Sequence, residues 1–181
     1  MCTIPEELSK EALLHRIRGF AETPRDIIVF TVNEIRFVAV SFFTENENVL
    51  QYSVRVFYDF TFHELVHIQN FTPNEAVLTM GFVNFKRKLM EPHDFLAIGT
   101  GVVEDTEPRG RLLLFEINGT MFIPHPFRFI SGLPGPVSAI QAVDGYLIAA
   151  ILFEVKVFTY VEDEQPRLEP IAFYLGPYIT N

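Results

Sequence analysis

FLAIGTGVVEDTEPRGRLLLFEI, residues 95–117, decides how the rest of the chain is read. An apolar run ends in Gly99-Thr100-Gly101. An acidic loop with one proline follows, and Gly110-Arg111 opens a second apolar run. Two apolar segments of strand length with a Gly- and Pro-punctuated turn between them read as neighbouring strands of one antiparallel sheet.

The same reading extends in both directions. Strands are expected at 15–20, 26–32, 35–43, 49–58, 63–70, 76–85, 94–99, 110–117, 121–130, 136–143, 146–152, 154–161 and 167–174. Turn residues separate them, notably Asn33-Glu34, Glu45 to Asn48, Thr72 to Asn74, Asn118-Gly119 and Asp144-Gly145. Only 5–14, PEELSKEALL, reads as helix. The composition agrees: 49% of residues are hydrophobic, and 19 are Phe, which favours strands.

The strands fall into groups of four. The second strand of each group is the most apolar (FVAVSFF, FLAIGTGVV, YLIAAILF), and the third alternates (YSVRVFY, RLLLFEI, EVKVFTY). The fourth is more polar. A middle strand covered on both faces must be apolar on both, whereas an outer strand meets water and keeps charge to blunt its edge. A repeat of roughly 40–60 residues built from four antiparallel strands is the pattern of propeller blades. The expected architecture is all-β: a lead-in over 1–14, then an incomplete β-propeller over 15–181 with blades at about 24–71, 75–131 and 134–175. Closed propellers need roughly four to eight blades, so three leave open faces for further chain or a partner.

Charge and cysteine content narrow the function. The net charge of −9 disfavours bulk attraction to phosphate. Lys86-Arg87-Lys88 is the only basic cluster. Cys2 is the single cysteine, so no disulfide forms within the chain. The start, MCTIPEELSK, lacks the basic and then apolar pattern of a secretory signal. No apolar run approaches the ~20 residues of a membrane helix.

Four motifs suggest chemistry. His63-Glu64-Leu65-Val66-His67 is a literal H-E-x-x-H, the zinc signature of hydrolases when it lies on a helix. There the two histidines stand about 6 Å apart, against about 13 Å on a strand. The Phe-, Thr- and Val-rich context and Pro73 make it an outer strand, with a zinc-dependent hydrolase as the alternative. Gly99-Thr100-Gly101 imitates a dinucleotide loop, but Glu104, Asp105 and Glu107 would repel phosphate. Those three acids also lack the ligand pattern of a calcium loop. Ser41, Ser53, Ser131 and Ser138 lack a nucleophile-elbow context. The residues supply no catalytic constellation, metal site or cofactor site.

The motif residues themselves resemble a known family, the one shared by the largest subunit of the cleavage and polyadenylation specificity factor and the large subunit of the UV-damaged-DNA-binding complex (CPSF-A). The resemblance rests on Gly99-Thr100, the acidic loop, Gly110-Arg111 through Phe115, Gly135-Pro136-Val137 and Asp144-Gly145, and covers about residues 13 to 181. Asn74-Glu75-Ala76 looks like the UV-damage subunit, and Ile171-Ala172-Phe173 looks like the polyadenylation subunit, so the subfamily stays open. The resemblance implies a non-enzymatic nuclear scaffold that binds other protein subunits. RNA 3′-end processing, splicing, and DNA repair with ubiquitin ligation are the settings it implies. RNA or DNA contact is expected to be indirect or weak, with no membrane role. The family-motif residues Gly99, Thr100, Gly110, Arg111, Phe115, Gly135, Val137 and Gly145 are expected to be structural.

Overall fold

The structure is a computed structural model. It describes residues 21–69, 71–85, 93–102, 108–118, 121–122, 128–130, 133–161 and 167–175. The short helix at 5–14 and the strand at 15–20 lie outside these residues, as do Lys86-Arg87-Lys88 and the acids of the 103–107 loop.

The described residues are all β, in three antiparallel sheets. Blade 1 has the order β1 (Thr23–Val32), β2 (Ile35–Asn46), β3 (Val49–Tyr58), β4 (Glu64–Ile68). Blade 2 runs β5 (Glu75–Phe85), β6 (His93–Val102), β7 (Leu112–Asn118). Blade 3 runs β10 (Val137–Val143), β11 (Tyr146–Ile151), β12 (Glu154–Val161), β13 (Arg167–Leu175). Within the strand expected at 121–130 the described residues form β8 (Met121–Phe122) and β9 (Arg128–Ile130), and 123–127 lie outside the described residues. Each pairs with a different end of β7. None of the sheets is closed, so the molecule is a partial propeller-like stack.

Turn chemistry sets the hairpins. Asn33 and Glu34, Glu47 and Asn48, and Asp144 and Gly145 all have positive φ. Both central residues of a type I′ turn need that conformation, and its twist matches the flanking strands.

Two cores join the sheets. Blade 1 contributes Phe37, Ala39, Val54 and Val56 to the first, and blade 2 meets them with Leu96, Ile98, Leu113 and Phe115. The second joins Phe95, Ala97, Leu112 and Leu114 of blade 2 to Val137, Leu147, Ala149 and Phe158 of blade 3. Middle strand β6 is accordingly buried on both faces, and β2 is buried on both as well, its second face, Val38, Val40 and Phe42, clustering with Phe57 apart from the two cores. Strand β11 is buried only on alternate residues, Leu147, Ala149 and Ile151, because among the described residues no sheet packs on its other side. The expectation of a charged outer strand holds at Arg167 and Glu169 but fails further along β13. Ile171, Phe173, Tyr174 and Leu175 stand exposed there.

Candidate functional site

Six of the eight family-motif residues meet where blade 2 joins blade 3. Glu75 opens β5 and is 1% exposed. Its Oε1 accepts from Arg111 Nε at 2.7 Å and from Thr100 Oγ1 at 2.7 Å. Its Oε2 accepts from Arg111 Nη2 at 2.6 Å and from the backbone N–H and the hydroxyl of Thr72, both at 2.9 Å. Thr100 also ties Arg111 down: the Arg111 N–H donates to Thr100 Oγ1 at 3.0 Å, and the Thr100 N–H donates to the Arg111 carbonyl at 2.9 Å.

A carboxylate gripped by a guanidinium fork and three further donors is a strong, directional arrangement. Burial pushes the Glu75 carboxyl upward. The hydrogen bonds from Arg111, Thr72 and Thr100, with the Arg111 charge, outweigh it and hold the group below the ordinary carboxylate value. Such a group stays ionised and saturated with donors. It is suited to locking strands together rather than to carrying protons.

Close backbone approach explains the glycines. A Cβ on Gly99 would stand 2.7 Å from Val137 Cγ1, and one on Gly101 would stand 2.7 Å from Pro136 Cβ. A Cβ on Gly110 would collide with the Thr100 carbonyl and lie 2.8 Å from that of Gly135. Gly135 in turn sits against Leu152, whose N–H donates to the Pro136 carbonyl at 3.1 Å. The absence of side chains at Gly99, Gly101 and Gly110 lets the Gly135-Pro136-Val137 entry to β10 lie directly on blade 2.

The structure thus gathers Gly99, Thr100, Gly110, Arg111, Gly135 and Val137 at one junction. Phe115 lies elsewhere, in the core between blades 1 and 2, and Gly145 lies in the β10–β11 turn. Sequence reasoning noted Glu75 only as part of a similar segment and gave it no partner. The signal was present: a carboxylate opening an otherwise apolar strand needs a buried cation.

The H-E-x-x-H stretch is strand, not helix, over Glu64–Ile68. The pairing with β3 slips at Val56/Phe57, leaving Leu65 unpaired and turning Glu64 to the same face as His67. Glu64 Oε2 accepts from Arg55 Nη1 at 3.0 Å, and His67 pairs across the ladder with Arg55. Burial and then the Arg55 charge hold the His67 pKa below its ordinary value. Among the described residues no three His, Cys, Asp or Glu side chains gather into a metal-ligand group. Gly99-Thr100-Gly101 lies within β6 rather than in a loop before a helix. Ser41 and Ser53 are buried in the blade 1 sheet.

Residues 51–181 match the family described as the CPSF A subunit region. The chain belongs to that family. The match begins at β3, so β1 and β2 stand outside it, whereas the resemblance read from the sequence ran from about residue 13. Nothing among curated proteins matches the chain. Every motif residue gathered at the blade 2–blade 3 junction falls inside the CPSF-A match, which places this chain in a β-propeller-type scaffold family.

Proposed function

We propose that this chain is a non-enzymatic β-propeller scaffold of a nuclear nucleic-acid-processing assembly, binding protein subunits first and RNA or DNA weakly. The observation that carries the reading is how the motif residues are used. Thr100 and Arg111 hold Glu75, and the glycines seat one sheet on the next, so the family pattern builds a stack rather than a reactive centre. The broad apolar face left on blade 3 supports a protein partner. Within the CPSF-A family the settings are RNA 3′-end processing, splicing, or DNA repair with ubiquitin ligation. The strand geometry of His63 to His67 speaks against the zinc-hydrolase alternative, since that chemistry places both histidines on one helical face.

The test is an electrophoretic shift titration with single-stranded RNA and duplex DNA at about 150 mM salt. Lys86, Arg87 and Lys88 can neutralise about three phosphates, so the salt slope should not exceed roughly −3 and binding should be weak. Tight, sequence-selective binding by the chain alone would overturn the reading in favour of a direct nucleic-acid reader.

A further inference from the structure

The two ends of the stack differ. On blade 1 the face turned away from blade 2 is closed: Val38, Val40, Phe42 and Phe57 are 0–1% exposed. On blade 3 the face turned away from blade 2 is open. Leu147, Ala149 and Ile151 of β11 are buried against blade 2, so by strand alternation Tyr146, Ile148 and Ala150 face away. The register sets Val143 beside Tyr146, Val157 beside Ile148, and Tyr174 beside Val155 on that side. Val143, Tyr146, Val155 and Tyr174 are 37–65% exposed.

The open face has the make-up of one that takes another sheet. In blade 1 the pair Ala39–Val56 is covered by blade 2, and in blade 2 the pair Ala97–Leu114 is covered by blade 3. Ile148–Val157 is the pair on the same side of blade 3, and both residues are only half-buried. The positions around it are uncharged. The charged residues of the sheet on this side, Arg167 and Glu169, stand at the far end of β13 and pair with each other at 3.7 Å.

Charge and the closed end decide which sheet can lie there. The chain carries a net charge of −9, so two copies repel each other in most approaches. The blade 3 face, uncharged at its centre, lets them meet without burying an unpaired charge. A second copy can offer its own blade 3 face but not its blade 1 face, which is already covered. Head-to-tail stacking is thereby blocked, and face-to-face stacking remains. Four strands about 4.8 Å apart, each contributing about 20 Å of length, give a face of roughly 400 Å² in plan. Two such faces bury on the order of 1,000 Å², at the lower end for a specific contact.

We propose that two copies of this chain pair through the outer faces of their third blades, related by a two-fold axis. Sheets packed in this way lie about 10 Å apart with strand directions within about 30° of each other. A two-fold contact uses the same patch twice and closes on itself, so it stops at two copies. Its area makes it weak and reversible. The face is the one offered above to a partner subunit, so a partner and a second copy compete for it. The test uses the purified chain alone, and its failure leaves the scaffold reading to be judged by capture from extract.

Sedimentation velocity of the full chain over a rising concentration series should show one reversible step from one chain to two. Added salt should favour the pair, since it screens the repulsion between copies of like charge. Ile148→Lys and, separately, Tyr146→Lys bring two like charges into one interface and should each weaken pairing by roughly tenfold or more. Tyr146 is already exposed, so its replacement leaves the core untouched and covers the case in which Ile148→Lys does not fold. Phe60→Lys adds the same charge at an exposed site on blade 1 and should pair like the unmodified chain. Ile148→Lys mixed with Ile148→Glu should restore pairing that neither variant makes alone. A chain that stays single at every concentration, assemblies that grow beyond two, pairs that salt dissolves, or Tyr146→Lys pairing as well as Phe60→Lys would overturn the proposal.

Discussion

Arg111 and Glu75 stand at the entries to β7 and β5, two strands of one sheet with β6 between them, and they meet through hydrogen bonds of 2.7 and 2.6 Å over that middle strand. Thr100 of β6 bonds to both. The contact therefore ties three strands together at the end of blade 2 where β10 of blade 3 enters.

Removing one side of this pair should cost far more than removing both. Arg111→Ala leaves a buried carboxylate without its cation and should destabilise by about 3–5 kcal/mol, whereas Glu75→Ala should cost less, because the Arg111 side chain it leaves behind is partly exposed. The double variant should recover part of that loss. Urea unfolding of the four proteins measures it. Equal, small losses in both single variants would show the pair to be peripheral.

The same pair sets an acid limit. The Glu75 carboxyl is held below its ordinary value of 4.5 in the folded chain. The unfolded chain therefore takes up the proton first as pH falls. The stabilisation is complete above the unfolded value and is lost as pH drops through the lower folded value. Stability measured from pH 7 downward should fall below about pH 4.5, and Glu75→Gln should flatten that part of the curve. A Gln variant with the same acid profile would contradict the assignment.

His67 works in a different window with the same sign. Its folded pKa lies below 6.5 through burial and the nearby Arg55 charge, against the opposing pull of Glu64 and Glu22. The neutral imidazole is favoured in the folded chain, so its contribution is present above the unfolded value and declines as pH falls below it. Histidine NMR titration should give His67 a lower midpoint than an unfolded reference, and Arg55→Leu should raise it.

Glycine substitutions should rank by what the new Cβ meets. Gly110→Ala runs into the carbonyls of Thr100 and Gly135, which are backbone and cannot yield. Gly81→Ala meets Ile140 Cγ2 at 2.8 Å, a side-chain terminus that can turn away. Thermal unfolding should place Gly110→Ala well below Gly81→Ala, by a difference on the order of 1–3 kcal/mol. The reverse order would mean that the blade 2–blade 3 seat is looser than its geometry.

What could be read from residues alone was what local physics decides. FVAVSFF, FLAIGTGVV and YLIAAILF declared themselves as middle strands because burial on both faces removes polar alternation. Asn33 and Asp144-Gly145 declared their turns because short polar residues and glycine tolerate positive φ. The features that escaped depend on residues distant in sequence. Glu75 finds Arg111 only after β6 is laid between them. The Leu65 bulge that turns Glu64 toward Arg55 depends on pairing with β3. The different registers of β8 and β9 depend on which end of β7 each meets. The exposed Phe173 and Tyr174 of β13 carry no charge that would mark an edge. Their apolar character is that of a strand awaiting cover, which no pattern within the segment distinguishes from a buried one.

The central claim is that this chain works by holding other proteins, and one measurement addresses it most directly. Affinity purification of the tagged full chain from nuclease-treated nuclear extract, with the captured proteins identified by mass spectrometry, should recover subunits of one RNA-processing, splicing or ubiquitin-ligase assembly. Recovery should drop when Ile148→Lys places a charge on the open face of blade 3. Capture abolished by nuclease treatment, or no subunit of such an assembly recovered with the unmodified chain, would contradict the account.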